Sequence, residues 1–116
     1  MELEKIYNED CLITMRNMPD NYIDFVITSP PYDDIRNYNG YKFEFEKIAK
    51  ELFRVITQGG VIIWVVADAT INGSETGTSF RQALFFKEIG FRINDTMIYY
   101  KNNTMPQTGN RYHKHF

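Results

Sequence analysis

Residues 23–27, Ile-Asp-Phe-Val-Ile, run directly into Thr28-Ser29-Pro30-Pro31-Tyr32, and no other stretch of this 116-residue chain limits its fold as tightly. An apolar run this short, closed by prolines, reads as a strand buried on both faces, as in a parallel sheet covered by helices. The carboxyl end of such a strand lies at the rim where open α/β sheets bind ligands. Two consecutive prolines fix φ and remove two backbone donors there, and Pro31 also pushes Pro30 towards an extended conformation. The turn is therefore stiff, with unengaged carbonyl acceptors, and it is flanked by the Ser29 hydroxyl and the flat ring of Tyr32. A proline pair is also ordinary loop punctuation, so function has to be argued from the groups around it.

Those groups suit an exocyclic amino group on a nucleobase. Such a nitrogen is a poor nucleophile because its lone pair is delocalised into the ring. If the Ser29 hydroxyl and the Pro30 carbonyl each accept one N–H, the nitrogen is held closer to sp³ and its lone pair can be aimed at an electrophile. Acceptors placed this way gain most as charge develops, which lowers the barrier. Tyr32 offers a stacking face to a base taken out of its helix, worth about 1–3 kcal/mol, against an extrusion cost of about a few kcal/mol.

Ser-Pro-Pro-Tyr behind a hydrophobic strand resembles the catalytic motif of the amino-group DNA methyltransferases, which methylate N4 of cytosine or N6 of adenine from S-adenosylmethionine. Asp10-Cys11-Leu12, Met18-Pro19-Asp20 and Ile23-Asp24 upstream, with Arg36 and Tyr38 downstream, extend the likeness to members whose catalytic motif precedes the cofactor-binding half. The resemblance implies an α/β, Rossmann-like, S-adenosylmethionine-dependent sheet, here partial, with mostly parallel strands and helices on both faces. It implies catalytic roles for Ser29, Pro30, Pro31 and Tyr32, and cofactor contacts from Asp10 and Cys11. Double-stranded DNA would be met by Arg36, Tyr38, Lys101 and Arg111. Serine rather than aspartate before Pro-Pro favours cytosine N4 over adenine N6.

Composition bears on partners and compartment. A net charge of −2 does not advertise a nucleic-acid face. Yet no acidic residue follows Asp95, whereas Lys101, Arg111, His113, Lys114 and His115 do, giving a basic tail that meets phosphates or is simply solvated. His113 and His115 form a metal pair by residue type only, and no metal site is expected. One cysteine, Cys11, excludes an internal disulfide and fits a reducing interior. No apolar run approaches the ~20 residues that span a bilayer, and Met1-Glu2-Leu3-Glu4 is the wrong chemistry for a signal peptide. A cytoplasmic location without membrane contact is expected, with residues 1–116 as one incomplete catalytic domain.

Taken in order, residues 3–8 predict a first strand, and Asp10 caps a short helix over 11–18 that Pro19 helps to stop. Apolar residues from Phe45 to Ile56 recur at helical spacing and predict a helix over 43–56, with Glu46–Lys50 and Lys47–Glu51 pairs on its wet face. Gly59-Gly60 ends that element. Residues 61–67 predict a second buried strand, with Trp64 as packing and Asp68 on the same rim as Asp10 and Ser29, a further cofactor candidate. Residues 70–78 read as a loop, Ser79 and Gln82 as the capping box of a helix reaching Gly90, and residues 91–100 as a strand.

In the family arrangement where the catalytic motif comes first, a Phe-x-Gly-x-Gly cofactor loop lies towards the carboxyl terminus, and this sequence has none. The chain then reads as a fragment, or as one whose cofactor half comes from elsewhere. An exposed sheet edge favours a homodimer or association with another chain. Two alternatives stand beside an active enzyme: an inactive or partner-dependent remnant that binds DNA or protein without turnover, and a methylase of RNA or protein.

Overall fold

Asp10 supplies the first local decision. Its carboxylate accepts the Leu12 N–H at 2.9 Å, capping the first helix, α1, Cys11–Arg16. The computed structural model describes residues 1–31, 42–98, 100 and 102. The other elements are the strand β1, Ile23–Thr28, the helix α2, Phe45–Val55, the strand β2, Ile56–Trp64, the short strands β3, Thr70–Ile71, and β4, Ser74–Glu75, and the helix α3, Thr78–Ile89.

β1 and β2 pair in parallel, with Phe25 opposite Val61, Val26 opposite Ile62, Ile27 opposite Ile63 and Thr28 opposite Trp64. Parallel neighbours need a crossover, and α2 provides it. The apolar stripe of α2 buries Ile48, Ala49, Leu52 and Val55 against Leu12 and Met15 of α1 and Phe86 of α3, with Val26, Ile62 and Trp64 packed on from the sheet. The α/β class with a parallel pair is thus as the sequence reads. Trp64 is packing as expected: its ring lies 5.0 Å from that of Phe86 and 5.9 Å from that of Phe45. Its indole N–H donates to the Gln82 side chain at 3.0 Å.

One face of the pair is covered and the other is not. Phe25 is 53%, Ile27 63% and Val61 51% exposed, so among the described residues the strands are half-buried rather than buried on both faces. Among the described residues, α1, α2 and α3 all contribute to the core on the opposite face.

Several local readings are corrected. Residues 3–8 form no strand: Glu4 sits at φ 54°, Ile6 is 93% exposed, and no described strand lies alongside. The described part of 91–100 likewise forms no strand with another described segment, with Ile93, Met97, Ile98 and Tyr100 exposed. Strand propensity does not make a strand without a ladder to join. Gly59-Gly60 does not stop α2, which already ends at Val55; both glycines lie inside β2, where the register slips between Ile56 and Val61 and Gly59 takes φ 82°. Within 70–78, Asn72-Gly73, at φ 52° and 77°, turn the β3–β4 hairpin. The cap of α3 is Gly77 rather than Ser79. On α2 the ion pairs are Lys47–Glu44 and Arg54–Glu51, at i,i+3, in place of the i,i+4 pairs expected.

Arg54 ties the layers together. Its guanidinium donates to the Met15 carbonyl at 2.6 Å, the Met18 carbonyl at 2.8 Å, the Asp20 carboxylate at 2.9 Å and Glu51 at 2.6 Å. The first three acceptors lie at the end of α1 and in the connection to β1, where a cation also suits the helix dipole, and Glu51 is one turn back on α2 itself. The two carboxylates raise the Arg54 pKa further above its ordinary value, so the clamp stays charged.

The burial contrast gives a first prediction. Leu52→Ala is expected to cost about 2–5 kcal/mol of unfolding free energy, whereas Ile27→Ala changes it by less than about 0.5 kcal/mol. Equal shifts in the urea midpoints of the two variants would show that the open face is not open.

Candidate functional site

The ladder holds the turn by its last bond. Val65 N–H donates to the Thr28 carbonyl at 2.9 Å, after which the chain leaves the sheet through Ser29-Pro30-Pro31. Pro30 is buried, Pro31 half-buried and Ser29 exposed, so the first proline anchors the turn and the serine faces outwards. The Ser29 hydroxyl has no hydrogen-bond partner among the described residues. Tyr32, Arg36, Tyr38, Lys101 and Arg111 lie outside the described residues, as do Lys114 and both histidines.

Beside the turn lies a cavity of about 630 Å³, bounded by Ser29, Pro30 and Pro31, by Cys11 of α1, and by Phe43 and Trp64. That volume is within the range of small-molecule sites. Phe43 and Trp64 stack with ring centroids 6.3 Å apart and planes at 30°, giving the cavity an aromatic wall near the rim. Neither ring was picked out from the sequence as a site residue. The signal available for Trp64 was its place at the carboxyl end of β2, level with Thr28. Phe43 had no such signal.

The three cofactor candidates separate. Cys11 lines the cavity, and Asp10 is its neighbour at the head of α1, its carboxylate turned to the Leu12 N–H. Asp68 turns elsewhere: one oxygen accepts the Ser79 N–H at 2.7 Å and the other the Ser79 hydroxyl at 2.9 Å, so it serves the first turn of α3 and does not border the cavity. An Asp carboxylate at that end of a helix is favoured both by free N–H groups and by the dipole. Burial lifts the Cys11 thiol above its ordinary pKa, and the neighbouring Asp10 charge adds to the lift, so the residue is a neutral thiol near pH 7 rather than a nucleophile.

Tested against S-adenosylmethionine, the described lining fits only in part. A flat heterocycle and a thioether-like chain suit the apolar wall, with the Cys11 flank at one end. Among the described residues no charged side chain borders the cavity, so these residues hold neither an ammonium nor a carboxylate.

The profile of a DNA methylase family matches residues 23–116. An orphan methyltransferase of Bacillus amyloliquefaciens is 59% identical over 100 residues, covering 86% of this chain and 38% of that protein. A type II methyltransferase of Bacillus subtilis is 37% identical over 70 residues, 55% of this chain and 19% of its own length. One of Streptomyces fimbriatus is 27% identical over 130 residues, covering 87% of this chain and 31% of the relative. The chain thus spans less than two fifths of the curated relatives it matches. No solved structure matches.

Two predictions follow from the carboxylates. Asp10→Asn, which keeps a good capping side chain, is expected to lower the midpoint of the pH profile of Cys11 alkylation by iodoacetamide, because removing a neighbouring negative charge favours the thiolate; an unchanged or raised midpoint refutes it. Asp68→Ala is expected to cost about 0.5–2 kcal/mol through the lost cap of α3, read from thermal unfolding, and no loss would mean the Ser79 bonds carry no weight.

Proposed function

We propose that this chain, which belongs to the DNA methylase family, carries the amino-acceptor site of a DNA amino-methyltransferase that acts on a base swung out of the duplex. The observation that carries this is the exposed Ser29 hydroxyl, without a hydrogen-bond partner among the described residues, on a proline-locked turn at the sheet rim beside a cavity large enough for a planar ring. Ser29 and the Pro30 carbonyl accept the two N–H groups of the exocyclic amine, while Pro31 keeps the turn rigid. Tyr32 holds the ring flat, with the Phe43–Trp64 wall behind. Arg36, Tyr38, Lys101 and Arg111 are assigned to the DNA, the cations to phosphates. N4 of cytosine is favoured over N6 of adenine.

S-adenosylmethionine, when bound, supplies a sulfonium-activated methyl group. The residues of this chain orient the acceptor nitrogen and stabilise the positive charge that grows on it as the nitrogen is methylated. Asp10 and Cys11 flank the cofactor in this reading, and Asp68, committed to α3, supports the rim instead. The absence of charged groups in the described lining favours a second reading, in which the chain alone keeps the fold without turnover.

Labelled methyl transfer to double-stranded DNA, with nucleoside mass spectrometry, separates the two. The assay is run on the chain alone and on the chain fused to the unaligned part of the Bacillus amyloliquefaciens relative. N4-methylcytosine is the expected product, and Ser29→Ala is expected to lower kcat by about 10²–10³-fold, the scale of losing one charge-stabilising partner. N6-methyladenine alone would overturn the base preference. Product from the fusion only would establish the partner-dependent reading, and full turnover with Ser29→Ala and Tyr32→Ala would overturn the site.

A further inference from the structure

The described cations are not spread evenly. On the side of α2 away from its buried stripe, a groove of about 450 Å³ between α1 and α2 is lined by Arg16, Lys47, Lys50 and Arg54. Leu12 lies at its base, and Glu51 is the one carboxylate among the described residues that border it. Residues 47, 50, 51 and 54 share one stripe of α2 because they are three or four apart, and Arg16 faces them from α1, one turn after Leu12. Ion pairing leaves two of the four cations uncompensated. Lys47 is held by Glu44 at 3.1 Å, and Arg54 by Glu51 at 2.6 Å and Asp20 at 2.9 Å. The pairs within α2 form at i,i+3 and so engage Glu44 and Glu51. Lys50 and Arg16 have no ion pair among the described residues, and both side chains are exposed.

In a chain of net charge −2 this groove is a local excess of the sign that a phosphate requires. Shape narrows the ligand class. Arg16, Lys47 and Lys50 are exposed, so a small anion would stay hydrated beside them and gain little. A polymer of phosphates gains with every cation it meets, through the counterions it releases. From Lys47 to Arg54 the stripe runs for about 10 Å along the helix axis, room for on the order of three phosphates of one DNA strand. The groove also starts beside the base site. Leu12 follows Cys11, Lys47 lies four residues after Phe43, and Cys11 and Phe43 both border the cavity next to Ser29. A duplex that presents a base at that rim continues beyond it, and the groove lies on one of the paths open to its backbone.

We propose that the α1–α2 groove is a second DNA contact, separate from the base site, in which Arg16 and Lys50 take phosphates of the duplex backbone flanking the target. The proposal rests on DNA as the partner of this chain, and not on the methyl-transfer chemistry. The test is fluorescence anisotropy of the chain with a labelled duplex of about 30 base pairs, titrated between about 50 and 200 mM salt. Replacing both cations, Arg16→Gln with Lys50→Gln, is expected to make the slope of log affinity against log salt shallower by about 1.8, or about 0.9 per phosphate lost. The thermal midpoint is expected to stay in place, since neither cation has an ion pair to lose. Lys87→Gln with Arg92→Gln removes the same charge from the end of α3 and beyond, and is expected to move the slope by less than about 0.5. Arg16→Lys with Lys50→Arg keeps both charges and is expected to keep the parent slope; losing it overturns the proposal. An unchanged slope in the Gln pair overturns it, as does an equal change in both Gln pairs, which would reduce the effect to net charge. No binding by the chain at about 50 mM salt also overturns it. Polyglutamate of equal charge that binds more tightly than the duplex does so too, by making an acidic protein segment the occupant. A shallower slope in a protein that transfers no methyl group leaves the groove standing and sinks the catalytic reading; methyl transfer with an unchanged slope does the reverse.

Discussion

The parallel pairing of β1 with β2 is the constraint from which the described structure is assembled. Antiparallel partners can be joined by a two-residue turn, whereas parallel partners must send the chain back the full length of the strand. Here α2 makes that return, and its length and single apolar stripe follow from the task. Because both strands then end on the same side, Thr28 lies level with Trp64, and the proline turn and the aromatic wall meet at one rim. Arg54 secures the arrangement from the far end of α2. By accepting its four hydrogen bonds, the carbonyls of Met15 and Met18 and the carboxylates of Asp20 and Glu51 fix where α1 ends relative to the start of β1. Those same methionines also border the cavity.

Apolar burial in the molecule is lopsided. On one side Leu12, Ile48, Leu52, Val55 and Phe86 form a continuous core. On the other, Phe25, Ile27 and Val61 face solvent as a contiguous set on paired strands. Each exposed large side chain forgoes about 1.5–3 kcal/mol of transfer free energy. A contiguous apolar set on a soluble domain marks an interaction surface more often than chance exposure. The run at 23–27 reads as buried on both faces because its composition carries no polar alternation, and that composition is real; what the described chain lacks is the second layer to match it.

How much was legible follows from whether a signal is local. The Asp10 cap, the α2 stripe and the breaks at Pro19 and Pro30 each depend on residues within a turn or two of one another, and all appear in the structure. Asn72-Gly73 is as local a hairpin signal, but the Gly, Ser and Thr content around it reads as a loop. Residues 3–8 and 91–100 failed for a different reason: alternation reports suitability for a sheet, and membership depends on a neighbour that no local pattern encodes. Gly59-Gly60 was read as a stop although it serves as a register slip within β2, because glycine shows only that an unusual φ is allowed, not which element uses it. Ser29 and Cys11 both border the cavity, whereas Asp68, which strand position alone puts on the rim, does not. The long-range bonds to Ser79 that claim both its oxygens cannot be seen in the spacing.

The division of labour within the turn explains why two prolines serve here where one would give a bend. In the proposed role Ser29 presents one oxygen to a developing charge, and such a side chain loses its advantage if the backbone beneath it reorganises. Pro30 is buried against the body of the protein and Pro31 is half-buried, so neither φ angle is free and neither residue brings an N–H that needs a partner. Ser29, immediately before them, inherits an extended backbone from the proline that follows it and a fixed origin from the Thr28–Val65 bond behind it. Its hydroxyl therefore keeps only its own torsion as freedom. That is the cheapest way a short chain can hold an exposed acceptor still, since the ordering is built into covalent rings and one ladder bond rather than recruited when a ligand arrives.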